Sequence, residues 1–157
     1  MSHAGARWRL TPAVAVFRGR FGGYAESVRS STGLQREGRR DRVANRAWEA
    51  TGVWVFTGEP ASDRDLVPSR PLHRGGWGAL QANARHARVV LGDEAQMRTL
   101  AAAGTSRVAE ATSVGLAWFP NHLVRVIAAY DHTTFGPLGA SPRPTERALT
   151  VRYHVAF

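Results

Sequence analysis

Ala148-Leu-Thr-Val-Arg-Tyr-His-Val-Ala-Phe157 closes the sequence with Leu149, Val151, Tyr153, Val155 and Phe157 alternating against Thr150, Arg152, His154 and Ala156. A period of two predicts a strand with one apolar and one polar face. Upstream, His122–Asp131 repeats the pattern, with Val124, Val126, Ala128 and Tyr130 opposed to Arg125, Ala129 and Asp131. Thr112–Trp118 sets Val114, Leu116 and Trp118 against Ser113, Gly115 and Ala117, and Pro120-Asn121 is a turn signal that joins the two as a hairpin. Trp48–Phe56 and Trp77–Val89 alternate likewise, the second placing Leu80, Ala82 and Ala84 opposite Gln81, Asn83 and Arg85. Gly22–Arg29 is a weaker strand, and Ala13–Phe17 follows Pro12, which suits an edge. Polar Gly/Pro/Arg-rich connections are expected at 30–46, 58–75, 92–110 and 135–146. Glu94–Ala103 reads equally as a short helix or an extended loop. The fold class is therefore all-β: an antiparallel meander of about seven strands, without the motif repetition of a solenoid.

The chain has 157 residues, 21 basic against 12 acidic, a net charge of +9 and a pI near 11.5. Roughly 100–200 residues per domain makes this one domain at most. Every basic residue in the Lys+Arg count is Arg. Such a balance suits acidic partners: phosphate, nucleic acid or anionic lipid. The absence of Cys excludes a disulfide scaffold, a thiolate zinc site and a cysteine nucleophile. No run approaches the roughly 18 apolar residues of a spanning helix. Arg7 and Arg9 interrupt the N-terminus before a secretory apolar core can form, so no signal peptide is expected.

Catalytic chemistry is poorly represented. The six histidines form no i,i+4 or His-x-His group, and Gly19-Arg-Phe-Gly-Gly23 reads as a turn because no helical pattern follows it. Asp63 and Asp65 belong to a polar connection, which suits a solvated loop better than acid–base work. No enzyme, metal site or cofactor is expected. Arg36-Glu-Gly-Arg-Arg-Asp-Arg42 is the densest charge cluster, but the aromatics lie on apolar strand faces instead of between these arginines, so it reads as a solvated loop and no nucleic-acid partner is expected. The alternation itself fits a soluble sandwich or a membrane barrel. Aromatics near the strand ends, among them Trp48, Trp54, Phe56, Trp118, Phe119 and Tyr130, favour the girdles of a barrel.

Local sequences narrow the choice. Ala47-Trp-Glu-Ala-Thr-Gly-Val-Trp-Val-Phe-Thr-Gly-Glu-Pro60, Gly75-Gly-Trp-Gly-Ala-Leu80, Ser113-Val-Gly-Leu-Ala-Trp-Phe-Pro-Asn121 and Val124–Phe135 resemble, in order and spacing, the C-terminal half of the phosphate-selective porin O and P family. Phe21-Gly-Gly-Tyr-Ala-Glu26 is similar to a strand of that family, and the final ladder resembles the closing strand of outer-membrane barrels in general. The resemblance runs from about residue 7 to the end. It implies a sixteen-stranded, homotrimeric barrel in the outer membrane of a Gram-negative bacterium, with a basic channel passing phosphate, polyphosphate or other anions.

Sixteen strands with their connections need some 350 residues, so residues 1–157 are expected to form a single partial barrel domain, the last seven strands, lacking the N-terminal half and a signal peptide. By strand parity, Arg85, Arg125 and Arg152 fall on the face opposite the apolar ladder, which makes them the expected pore-lining, anion-binding residues, with Asp131 and His154 beside them. Counting back from Phe157 at the periplasmic side puts 30–46, 92–110 and 135–146 outside, and Pro120-Asn121 in the periplasm. The long segment 58–75 then falls on the periplasmic side, where short turns are the norm. The alternative function is a small basic soluble β-domain that binds RNA or another polyanion.

Overall fold

The computed structural model describes residues 2–36, 39–92, 106–136 and 143–156. Their strands are β1 (Ser2–Leu10), β2 (Ala13–Arg18), β3 (Phe21–Arg36), β4 (Arg39–Val55), β5 (Ala79–Leu91), β6 (Val108–Phe119), β7 (Val124–Gly136) and β8 (Glu146–Val155). They form a single antiparallel sheet in the order β1-β3-β4-β5-β6-β7-β8, with β2 also on β3. The chain is thus the all-β meander that period-two alternation predicts.

β1 and β2 occupy one edge of β3. The register Leu10↔Arg29 continues without slip to Ala13↔Glu26, and the Ser27 amide donates to the Pro12 carbonyl at 3.0 Å. Pro12 has no N–H to give the ladder, so Thr11-Pro12 divides one strand in two. Eight strand segments therefore fill seven sheet positions. The segment β1 itself was not expected from the sequence.

The expected connection at 30–46 is a correction: β3 and β4 pair from Phe21↔Trp54 to Arg36↔Arg39. Ser30, Ser31 and Thr32 continue β3, and Val43–Arg46 belong to β4. Polar residues on both faces hid the strand, because alternation is visible only where one face is apolar. The segment Glu94–Ala103 lies outside the described residues, as does Phe157.

The turn between β6 and β7 follows its chemistry. The Asn121 side-chain oxygen accepts from the Leu123 and Val124 amides at 2.8 and 2.9 Å, an Asx arrangement that reverses the chain. The turn at Gly19-Arg20 and the β4–β5 connection, 56–78, lie at this same end of the sheet: the Ala61 amide donates to the Gly19 carbonyl at 2.7 Å and the Leu72 amide to that of Pro120 at 2.8 Å. Gly78 returns the chain to β5 at φ 77°, and a Cβ there would run into the Phe119 carbonyl oxygen, so only glycine fits.

Directly paired residues share a face. One face carries the rows Gly52–Ala84–Val114–Tyr130–Leu149, Trp54–Ala82–Leu116–Ala128–Val151 and Leu80–Trp118–Val126–Tyr153. The exposed side chains here include Leu149 at 77%, Val151 at 69% and Tyr153 at 67%. The small core is on the opposite face: Val55, fully buried, packs with Ala79, Ala117 and Phe119 of the sheet and with Ala61 and Leu66 of the connection. Phe119 therefore belongs to this core instead of to an aromatic girdle. The two faces have exchanged the roles of a soluble domain, with the wide apolar one exposed and the polar one partly covered.

Candidate functional site

The polar face is ordered by the register. Thr51, Arg85, Ser113 and Asp131 form one row, with Tyr24 opposite Thr51. Toward the turn end come Val53, Asn83, Gly115, Ala129 and Thr150, and then Gln81, Ala117, Ile127 and Arg152. Between these rows lies a hollow of about 250 Å³ whose wall includes Arg85, Arg152, Tyr24, Thr51, Ser113 and Asp131. Guanidinium donors and hydroxyls converge on it, the donor set that oxyanions require.

The three expected arginines share the face but not the same surroundings. Arg85 donates to Glu49 Oε2 from Nε at 3.1 Å and from Nη2 at 2.5 Å, and its side chain is about half exposed. Exposed pairs of this kind contribute at most about 1 kcal/mol, so Glu49 chiefly aims the guanidinium and offsets its charge. Arg152 makes no ion pair among the described residues. Arg125, paired in register with His154, lies outside the hollow, beneath the β4–β5 connection. Its Nη1 donates to Asp65 Oδ1 at 2.5 Å, its Cζ is 6.0 Å from the Phe119 ring centroid, and its Nε is buried without a partner. The structure thus brings Arg85 and Arg152 together and sets Arg125 apart.

Acidic groups temper the field. Glu26 and Glu49 are direct cross-strand neighbours on this face. Asp131 accepts a hydrogen bond from the Ser113 hydroxyl and makes no ion pair with an arginine among the described residues. Asp65, expected to be a solvated loop residue, is mostly exposed yet reaches across to Arg125.

The connection that covers the turn end of this face is held by Glu59. Its Oε1 accepts from the Ser69 amide at 2.9 Å and the Ser69 hydroxyl at 2.8 Å, and its Oε2 accepts from the Thr57 hydroxyl. Burial pushes the Glu59 carboxyl up, but the hydrogen bonds from Thr57 and Ser69 outweigh it and hold the group below its ordinary value. The Thr57 hydroxyl also accepts from the Leu80 amide at 3.2 Å, and Trp118 Nε1 donates to the Trp77 carbonyl at 2.8 Å.

Sequence reasoning missed Glu49, Thr51, Asp65, Glu59 and Tyr24. The parity of β4 already put Glu49 and Thr51 on the polar face. Which residues of β5 they meet depends on a register set across the long connection, and no short-range signal encodes that. No group of His, Cys, Asp or Glu among the described residues could hold a metal ion.

Residues 3–136 match the sequence model of the phosphate-selective porin O and P family. The matched span ends with β7, so β8 is placed by its register with β7, from Val124↔Val155 to Thr133↔Glu146. No curated protein matches the chain.

Proposed function

The chain belongs to the phosphate-selective porin O and P family of outer-membrane channels, and from this we propose that its sheet is a wall segment of a sixteen-stranded barrel pore for phosphate or related anions. In this reading the apolar face meets lipid, the polar face meets the water-filled lumen, and the complete pores associate as homotrimers. Arg at the midplane of the lipid face costs roughly 2–4 kcal/mol, whereas lumen positions are free to set selectivity. The observation that carries the reading is the hollow shared by Arg85 and Arg152, faced by the hydroxyl-bearing Tyr24, Thr51, Ser113 and Thr150.

The arginines would contribute unequally. Glu49 and Asp65 compensate Arg85 and Arg125, leaving Arg152 as the group whose charge the lumen feels most. Reversal potentials of the complete barrel in planar bilayers test this, with Arg85, Arg125 and Arg152 replaced by Ala singly and together. Arg152→Ala should lower anion-over-cation selectivity more than either other single change, and the triple variant should lose block of chloride current by phosphate. Parental selectivity and block in the triple variant would remove these residues from the conducting path. The soluble polyanion-binding alternative needs something to cover Leu149, Val151 and Tyr153, all about 70% exposed, and it predicts a chain that stays in solution without detergent.

A further inference from the structure

The apolar face ends abruptly. Next to the wholly apolar row Gly52–Ala84–Val114–Tyr130–Leu149 comes Ala50–His86–Thr112–His132–Arg147, and beyond it Trp48–Arg88–Glu110–Thr134. Arg29 and Arg46 pair directly with each other one row further along the same face. Within three strand steps, roughly 7 Å each, the surface changes from Leu, Val and Tyr to four arginines and two histidines. Arg88 has a partner, Glu110 at 3.1 Å, and His86 Nδ1 lies 2.8 Å from the Thr112 hydroxyl. Arg29, Arg46 and Arg147 are exposed and make no ion pair among the described residues. Two directly opposed arginines repel each other. At the other end of this face the arginine aligned with the sheet is Arg18, opposite Phe21.

We propose that this rim, built on Arg29, Arg46 and Arg147 and flanked by Arg88, His86 and His132, docks the phosphate-bearing headgroups of the lipid leaflet that meets this end of the apolar face. The inference rests on the reading that the apolar face meets lipid. Guanidinium groups stand beyond the last apolar row, where a bilayer's apolar interior gives way to its headgroups. Phosphate oxygens there supply the anions that the opposed arginines lack. The bound group belongs to the membrane, because the rim lies on the lipid-facing side and the hollow of the lumen face is on the other.

Native mass spectrometry of the full chain in detergent micelles tests the assignment, with phosphatidic acid and phosphatidylcholine as probes. The parent should retain phosphatidic acid preferentially, and Arg29→Gln/Arg46→Gln/Arg147→Gln should retain it at least about tenfold less. Arg18→Gln should behave as the parent, and millimolar inorganic phosphate should not displace the lipid. Far-UV circular dichroism reports whether the triple variant keeps its strands. If it does not, the triple Arg→Lys variant and the three single Gln variants decide: Lys should keep the preference, and each Gln should weaken it. Equal retention of both lipids by the parent, undiminished retention by the Gln variants, or displacement by free phosphate would overturn the rim assignment while leaving the lipid-facing reading intact. Uptake of neither lipid would overturn that reading as well.

Discussion

Glu59 shows how a single side chain can decide whether a long connection docks. Its carboxylate gathers donors from Thr57 and from both Ser69 groups, and its proton affinity is lowered by them. A carboxyl held below its ordinary value stabilises the docked state above that value, and the contribution is lost as pH falls through the lowered one. Hydrogen exchange at the Ser69 amide, corrected for the intrinsic rate, should therefore show protection that is constant near neutrality and falls once acid enters the carboxylate range. Glu59→Gln should flatten this profile and lower protection at neutral pH; an unchanged acid limb in the variant would assign the effect to another group. At this scale the sequence was legible only where chemistry is local. The Asn121 turn could be read from Pro120-Asn121, whereas Glu59 looked like any loop acid because Ser69 is ten residues away.

At the scale of the element, the 56–78 connection is far longer than the turns at Gly19-Arg20 and Asn121 that share its end of the sheet. It lies over the polar face, and Leu66 and Ala61 complete a core whose sheet half is Val55, Ala79, Ala117 and Phe119. Leu66→Ala should loosen the connection by about 2–5 kcal/mol, the usual range for a buried Leu truncation. Trypsin cleavage after Arg64 or Arg70 should accelerate while the strands stay intact; an unaltered rate would show that hydrogen bonds alone hold the segment. Its length was readable from composition and its docking was not, because Ala61 and Leu66 are separated by polar residues and show no period. The strands around 30–46 were missed for a related reason. A pattern search reads burial contrast, and β3 and β4 reach beyond the apolar band to where both faces are polar.

For the whole molecule, the division into two faces is the property the sequence stated most clearly. The ladder of Leu149, Val151, Tyr153 and Val155 and the parities of Arg85, Arg125 and Arg152 follow from a period of two, which the backbone enforces. Leu116→Arg, in the middle of the apolar face, should reduce the stability of the complete barrel folded into bilayers by about 2–4 kcal/mol, whereas Ala129→Arg on the polar face should cost less. Folded fractions from gel-shift titrations in denaturant distinguish the two; equal penalties would argue against lipid on the Leu116 side. The seven sheet positions carry a last consequence. In an alternating sheet an odd count leaves both borders, β1/β2 and β8, running in the same direction. Antiparallel closure into a ring then takes an odd number of further strands. A second copy placed the same way up would offer its β1 border parallel to β8, so two upright copies cannot complete an antiparallel cylinder between them.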